Sequence, residues 1–317
     1  MMARSGKIRR SCAALACVLL GVLAAVCLPR QKVTAAPPQS SALEFVGEWG
    51  MKGEGPGELA DPIGIAVDVN DRVYLADRRT GLLQKFELTG VPSLAYEDSS
   101  VRSASAIAVD SGGAIYIADA RGGRLWLHFP EGDLLRNFRI APQRSVDASF
   151  GFCVTEDGTI VIPDPDGGRI QAFSPAGRLV STWKLPPSAA GQAARPVAVA
   201  TGIDEFVYVA DAASGRIIKY SNRGAQAAMW EPPADAAGPL RGIAVSRDYV
   251  FTLRGAKPQL EVWTLEGQRV LAGSFGNHLE ATTSSTLFFA VSHDDQVFLL
   301  DSARQRVLHF RLRLQTN

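Results

Sequence analysis

The sequence predicts an all-β fold, a six-bladed β-propeller built from four-stranded antiparallel blades. Three observations predict it. A phrase of two short apolar strands joined by a turn, and followed by a third apolar run, occurs six times. Its anchor is a small residue in the first strand, at positions 66, 108, 153, 198, 244 and 290, so the copies are 42 to 46 residues apart. Within each strand the apolar residues alternate with period two, as a strand with one face on a core requires. Short strands repeated at that period mark blades arranged around an axis rather than a sandwich.

The copies follow one another without interruption. The first reads Gly64-Ile65-Ala66-Val67-Asp68, a turn at Asn70-Asp71, Val73-Tyr74-Leu75-Ala76-Asp77, and a run closing on Phe86. The second has Ala106 to Asp110, Ile115 to Asp119 and a third strand closing on Phe129, preceded by His128 as Phe310 is preceded by His309. The third has Phe152-Cys153-Val154, Ile160 to Asp164 and Phe173, and the fourth Val197-Ala198-Val199, Val207 to Asp211 and Tyr220. The fifth has Ile243-Ala244-Val245, Val250 to Leu253 and Trp263, and the sixth Phe289-Ala290-Val291, Val297 to Asp301 and Phe310. The sixth copy ends after its third strand and lacks the fourth that other copies own, such as Leu179 to Trp183. An orphan strand at Phe45 to Gly50 supplies it and closes the ring, covering an edge that would otherwise be open to pairing. The propeller is thus expected over residues 45–317.

Upstream, residues 1–36 read as a signal peptide or an N-terminal membrane anchor. Arg4, Lys7, Arg9 and Arg10 precede an uncharged apolar run from Ala13 to Leu28, and Val33-Thr34-Ala35 offers a cleavage site. The apolar run lies between the length of a signal core and that of a spanning helix, and Cys17 or Cys27 offers lipid attachment as a third outcome. All three export the domain, to the periplasm or the extracellular space, or leave it anchored to the inner membrane by residues 13–28. Residues 37–44 read as a tether.

The 317 residues carry a formal net charge of +1, which argues against a dedicated nucleic-acid binder. Three of the four cysteines lie in the first 27 residues, so Cys153 alone remains in the propeller, where the other copies carry Ala. It reads as a small core residue. The partner expected is a protein, a peptide or a cell-envelope component; membrane contact is expected only through the N-terminal segment, and the propeller is expected to be monomeric.

After the orphan strand runs Gly50-Met51-Lys52-Gly53-Glu54-Gly55-Pro56-Gly57-Glu58-Leu59, ending Asp61-Pro62. With the Ala-Val-Asp and Tyr-Leu-Ala-Asp strands, this lead-in resembles the NHL repeat family of six-bladed propellers. Only the first copy carries it intact. Later copies have longer connections, Ala141 to Phe150, Leu185 to Pro196, Glu231 to Arg241 and Gly276 to Thr286, rich in Pro, Ala and Gly. Such loops on a rigid scaffold are where recognition is expected. In other members of the family the propeller binds protein or RNA. RNA recognition needs a basic face with exposed aromatics, whereas Trp126, Trp183, Trp230 and Trp263 stand at strand positions expected to pack between blades.

Four copies end the second strand with Asp and place Arg five residues later: Asp119/Arg124, Asp164/Arg169, Asp211/Arg216 and Asp301/Arg306. A hairpin would bring each pair together as a structural clip. Blade 5 has Arg254 and Gln259 instead, and blade 1 keeps Asp77 with Leu82 in place of Arg. Asp77, Arg78, Arg79, Arg121 and Arg254 form a candidate ligand or anion patch, expected on the face opposite the long connections.

Related six-bladed propellers include metal-dependent lactonases and lyases, whose central metal needs convergent carboxylates, Asn or His. The four histidines, His128, His278, His293 and His309, have no metal-ligand spacing. Asp68, Asp110, Thr155 and Ser246 follow the inner strands and read as turn starters, and Asp294-Asp295 as a solvated turn. No nucleophile elbow or phosphate loop is present. No cofactor is predicted, Ca²⁺ being the ion the central channel could take. The expected function is a non-catalytic binding or scaffold propeller outside the cytoplasmic membrane, recognising its ligand through the loop face. The alternative is a metal-dependent hydrolase or lyase with its site in the central channel.

Overall fold

A computed structural model describes residues 43–144, 150–236, 238–279 and 287–314. Residues 1–36, where a signal peptide or anchor is expected, most of the expected tether, parts of three connections and the last three residues lie outside the described residues. Among those that are described, no helix is long and apolar enough to cross a membrane; the 13–28 segment is not among them.

Six four-stranded antiparallel sheets make the blades, each in simple up-and-down order. The first strands are Pro62–Val67, Ala106–Val109, Cys153–Val154, Pro196–Thr201, Leu240–Val245 and Leu287–Val291. Each touches the first strand of the blade on either side, all the way round, so these strands line the axis. The sixth blade runs Leu287–Val291, Gln296–Asp301, Arg306–Leu312, and its outer strand is Leu43–Trp49 from the start of the chain. That closing strand begins two residues earlier than its sequence pattern suggests. It pairs antiparallel with Arg306–Leu312, from Leu43 opposite Leu312 to Trp49 opposite Val307, with a bulge between Phe45 and Gly47.

The core is six wedges rather than one mass, each filled from two adjacent blades. Tyr116, Leu125 and Leu127 of blade 2 meet Phe152, Ile160 and Phe173 of blade 3. Between the last and first blades, Phe298, Leu300 and Val307 meet Ile65, Leu75 and Phe86. A strand whose two faces each enter a different wedge is buried on both, which is why the second strands are almost wholly buried. Cys153 is one such filler, in the wedge between blades 3 and 4, and burial pushes its thiol pKa up, so it stays protonated and inert.

Neighbouring blades are also keyed at their outer edges. In five blades a glycine in the turn before the fourth strand lies beneath an aromatic side chain from the preceding blade: Gly90 under Trp49, Gly132 under Tyr96, Gly177 under Phe138, Gly224 under Trp183 and Gly267 under Trp230. At Gly224, φ is +85° and an added Cβ would lie 2.2 Å from the Trp183 ring. Only glycine meets both conditions. Trp49 belongs to the closing strand, so the same key that joins the other blades also seals the ring.

Candidate functional site

Each blade alternates direction, so the turns between first and second strands and between third and fourth strands lie on one face. The hairpins between second and third strands lie on the other, together with the connections between blades. The side-chain bonds demonstrate this: Asp77 accepts from the amides of Ala60 and Asp61 in the lead-in, at 2.6 and 2.9 Å. Arg216 donates to the carbonyls of Pro186 and Pro187 in the connection before blade 4, at 2.7 and 3.2 Å. The Asp–Arg hairpins and the long connections therefore share a face, contrary to the expectation that they are opposed. A strand that returns antiparallel to its neighbour must leave from the end where the hairpin before last turned.

Two of the four Asp–Arg pairs are close. Arg169 Nε donates to Asp164 Oδ2 at 2.7 Å and Arg216 Nη2 to Asp211 Oδ2 at 3.3 Å. In blade 6, Arg306 Nε lies 3.7 Å from Asp301, and Arg304 is the nearer cation at 3.1 Å. Arg306 donates instead to Glu48 of the closing strand, at 2.5 Å, and to the His278 carbonyl. In blade 2 no ion pair joins Asp119 and Arg124, although their backbones are paired; Asp119 accepts from the Gly122 amide at 2.6 Å. The common element is thus the carboxylate holding turn amides, with the arginine free to seek the neighbouring connection.

The five residues of the candidate patch do not form an open site. Asp77 is buried and accepts from Ala60, Asp61, Arg79 and Thr80 amides and the Thr80 hydroxyl. Arg78 pairs with Asp61 at 2.8 Å and Arg79 with Glu54 at 3.0 Å. Arg121 lies on the exposed hairpin of blade 2. Arg254 is 1 % exposed and bonds Glu261 Oε2 through Nε at 3.0 Å, the Gly238 carbonyl at 3.1 Å and the Gly215 carbonyl at 3.0 Å. Blade 5 has inverted the polarity of the clip: a cation that donates to carbonyls replaces a carboxylate that accepts from amides. Its counter-ion is seven residues on, at Glu261, not five. Thr252 lies across the ladder from Glu261, so cross-strand register, invisible as spacing, sets the partner.

Three further residues depart from their sequence reading. His128 lies opposite Ile115 and is fully buried, so it fills the place that Phe86 and Phe310 hold in their blades, while Phe129 is outside the strand and exposed. His309 lies one position earlier, opposite Phe298. It is buried, Nε2 donates to Gln296 Oε1 at 2.6 Å, and burial, aided by Arg311, lowers its pKa to about 4. Asp295 is not simply solvated: one carboxylate oxygen is buried without a partner, and burial, with Asp248 and Asp294 nearby, holds its pKa above the usual carboxylate range.

A cavity lies on the turn face, at the mouth of the axial channel. Its volume is about 640 Å³, within the size of ordinary ligand pockets. Its wall is made by the last residue of every first strand, Val67, Val109, Val154, Thr201, Val245 and Val291. Its rim comes from the turns that follow. Asp68 accepts from the Asn70 and Arg72 amides and from the Tyr74 hydroxyl, the last at 2.9 Å; Asp110 does the same with Gly112, Ala114 and Tyr116. In blade 4 the equivalent tyrosine, Tyr208, donates to Asp204 at 2.7 Å. Burial, and then these carboxylates, raise the pKa of Tyr74 and Tyr116. The Val-Tyr pattern of the second strands signals this device; its use to fix rim carboxylates is a feature that spacing alone does not show. The opposite end of the channel is narrow, about 70 Å³, between Ile65, Ile107, Phe150, Ile243, Phe288 and Phe289. Among the described residues, no three His, Cys, Asp or Glu side chains are placed to hold a metal ion.

Residues 59–86 match the NHL repeat family. The chain is a six-bladed β-propeller whose first blade contains one NHL repeat. The matched stretch is the end of the lead-in and the first three strands of the first blade, and it follows directly on the glycine-rich residues 50–57. Comparison with the curated proteins finds no match. Among solved structures, this propeller is similar to a streptogramin B lyase, with 16 % identity, TM-score 0.57, and 87 % of this chain and 88 % of that one covered. It is also similar to the virginiamycin B lyase of Staphylococcus aureus, with 14 % identity, TM-score 0.57, and 86 % and 90 % covered. Raptor of Chaetomium thermophilum gives 11 % identity and TM-score 0.58, with 86 % of this chain matching 29 % of that one. An enzyme and a far larger protein are matched about equally well, and at such identities the likeness is one of fold.

Proposed function

We propose that this protein is a non-catalytic binding propeller, exported from the cytoplasm, which recognises a protein, peptide or envelope ligand at the channel mouth on its turn face. The observation that carries the reading is the cavity of about 640 Å³ whose wall is contributed equally by all six blades. A pocket built from strand ends is rigid, because each wall residue is fixed by the ladder behind it, and a rigid concave site binds without the cost of ordering itself. On this reading recognition lies opposite the face where the long connections suggest it. The connections are instead occupied in part by the clips, which bond them to the hairpins of each blade.

Hydrogen exchange of the purified propeller tests the reading, with and without a mixed library of soluble peptides. Protection of the turns at 68–72, 110–114, 155–159 and 202–205 by any bound species supports it. Protection confined to the connections would refute it. The second reading, a metal-dependent hydrolase or lyase with a lactonase-like site in the channel, is favoured by the likeness to the two lyases. Elemental analysis of the purified protein before and after chelation separates the two. About one tightly held Ca²⁺ per chain, lost together with thermal stability, supports the metal-dependent reading.

A further inference from the structure

The rim of the channel mouth carries one sign of charge. Five carboxylates line it, Asp68, Asp110, Glu156, Asp157 and Glu205, with His293 beside them and no lysine or arginine. Their charges are not neutralised from within. Asp68 and Asp110 bond to backbone amides and phenols. Asp157 bonds to the Thr155 hydroxyl and the Thr159 amide. Glu156 and Glu205 are exposed and their carboxylates make no hydrogen bond or ion pair with any described residue. Of the cations on this face, Lys219 pairs with Asp204 at 2.8 Å and Arg72 lies 4.0 Å from Glu87, while Arg178 and Arg223 stand in the outer turns, outside the lining. Arg247 acts on Asp295, outside the lining. The neighbouring turns add Asp71, Asp248, Asp294 and Asp295, and the pKa of Asp71 is raised by burial and then by Asp294, as a face crowded with like charge requires.

Below the rim the wall is apolar, so the cavity presents two layers, valines beneath and carboxylates above. The carboxylates come from turns of blades 1, 2, 3 and 4, distributed around the mouth rather than gathered at one point. A single metal ion needs convergent ligands; a distributed rim suits several separated cations on one apolar body. A concave, low-dielectric wall focuses the field of such a rim into the opening.

We infer that the channel mouth takes a polycationic ligand, whose ammonium or guanidinium groups meet the rim carboxylates while its methylene chains lie on the valine ring. This rests on the binding role proposed above and specifies its chemistry. Two sources carry that chemistry, a lysine- or arginine-bearing peptide and a free polyamine.

The test is isothermal titration of the full propeller with four probes: a lysine-leucine hexapeptide, its glutamate-leucine counterpart, a serine-leucine counterpart, and spermine. The basic hexapeptide or spermine is expected to bind at least about tenfold tighter than the neutral and acidic peptides, with affinity falling as salt shortens the screening length. Spermine alone binding assigns a free polyamine, and the hexapeptide alone assigns a protein segment. Either outcome upholds the cationic class. The double variant Glu156→Gln, Glu205→Gln removes two unpartnered surface charges without touching the core, and its affinity for the basic probe is expected to fall about fivefold or more. Equal binding of neutral or acidic peptides at the protected turns would overturn the cationic ligand and leave the binding role standing. No binding by any of the four would overturn the cationic ligand; exchange protection from the mixed library would then decide the binding role separately.

Discussion

Histidine 309 gives the structure a measurable pH dependence. It lies in the third strand of blade 6, 7 % exposed, stacked on Phe298 with ring centroids 4.4 Å apart and bonded to Gln296. In the unfolded chain it ionises near 6.5; in the fold, burial first and Arg311 second lower this to about 4. Between those values the unfolded chain binds a proton that the folded protein refuses, so stability falls as pH falls through the window. At about 1.4 kcal/mol per pH unit, the whole window is worth about 3 kcal/mol. The stability is fully present above pH 6.5 and lost by pH 4. Asp71 and Asp295 act in the opposite sense, because their raised pKa values let the fold take up protons before the unfolded chain does. They are common to wild type and variant, so a difference isolates the histidine. Urea unfolding of the wild type and of His309→Gln, at steps from pH 7.5 to 4, should give a stability difference that changes by about 3 kcal/mol in favour of the variant on acidification. A difference that stays constant across that range would show that the buried imidazole is not held neutral, and the reasoning would be wrong.

Other substitutions test the devices that join the blades. Arg254→Met takes the nearer arginine from buried Glu261, leaving it Arg269 at 3.4 Å and the Thr252 hydroxyl at 3.2 Å, and should cost about 3 kcal/mol in urea unfolding, most of it recovered when Glu261→Leu is added. Gly224→Ala forces a Cβ onto the Trp183 ring at a positive φ and should cost about 2–4 kcal/mol, read as a fall in Tm. Asp77→Ala releases the amides of Ala60, Asp61, Arg79 and Thr80; their hydrogen exchange should accelerate by about tenfold or more, while exchange in blades 3 and 4 is unchanged.

The repeat, the number of blades and the closing strand were legible because each depends on pattern within a few residues. Alternation marks a strand, the small residue marks its phase, and the missing fourth strand is a matter of counting. What depended on register was not legible. In blade 2, His128 and Phe129 are adjacent, and either could end the strand; the ladder selects His128 by setting it opposite Ile115. In blade 5, Arg254 appeared to have lost its partner because the expected site, Gln259, is uncharged. The partner is Glu261, two positions along the same strand, and its distance from Arg254 is short only because the hairpin folds it there. The glycine–aromatic keys were also hidden, since Gly224 and Trp183 are joined by neither a period nor a motif.

The channel mouth was unread for a different reason. Val67, Asp68, Val109, Asp110, Val154 and Thr155 each look, in their own copy, like the end of a strand and the start of a turn, and structurally each is. The cavity emerges only when six equivalent ends are brought to one axis. A ring of modest residues then becomes a wall, and turn carboxylates of several blades become a rim of one charge. The connections, being long and irregular, attract attention in the sequence, yet several of their polar groups bond to the hairpins beside them: Pro186 and Pro187 to Arg216, Gly238 to Arg254, Ala60 and Asp61 to Asp77. The regular residues have no such partners across the channel, because the axis separates them. In this propeller, therefore, one repeated position, the last residue of each first strand, is left facing the cavity, where a ligand can meet all six at once.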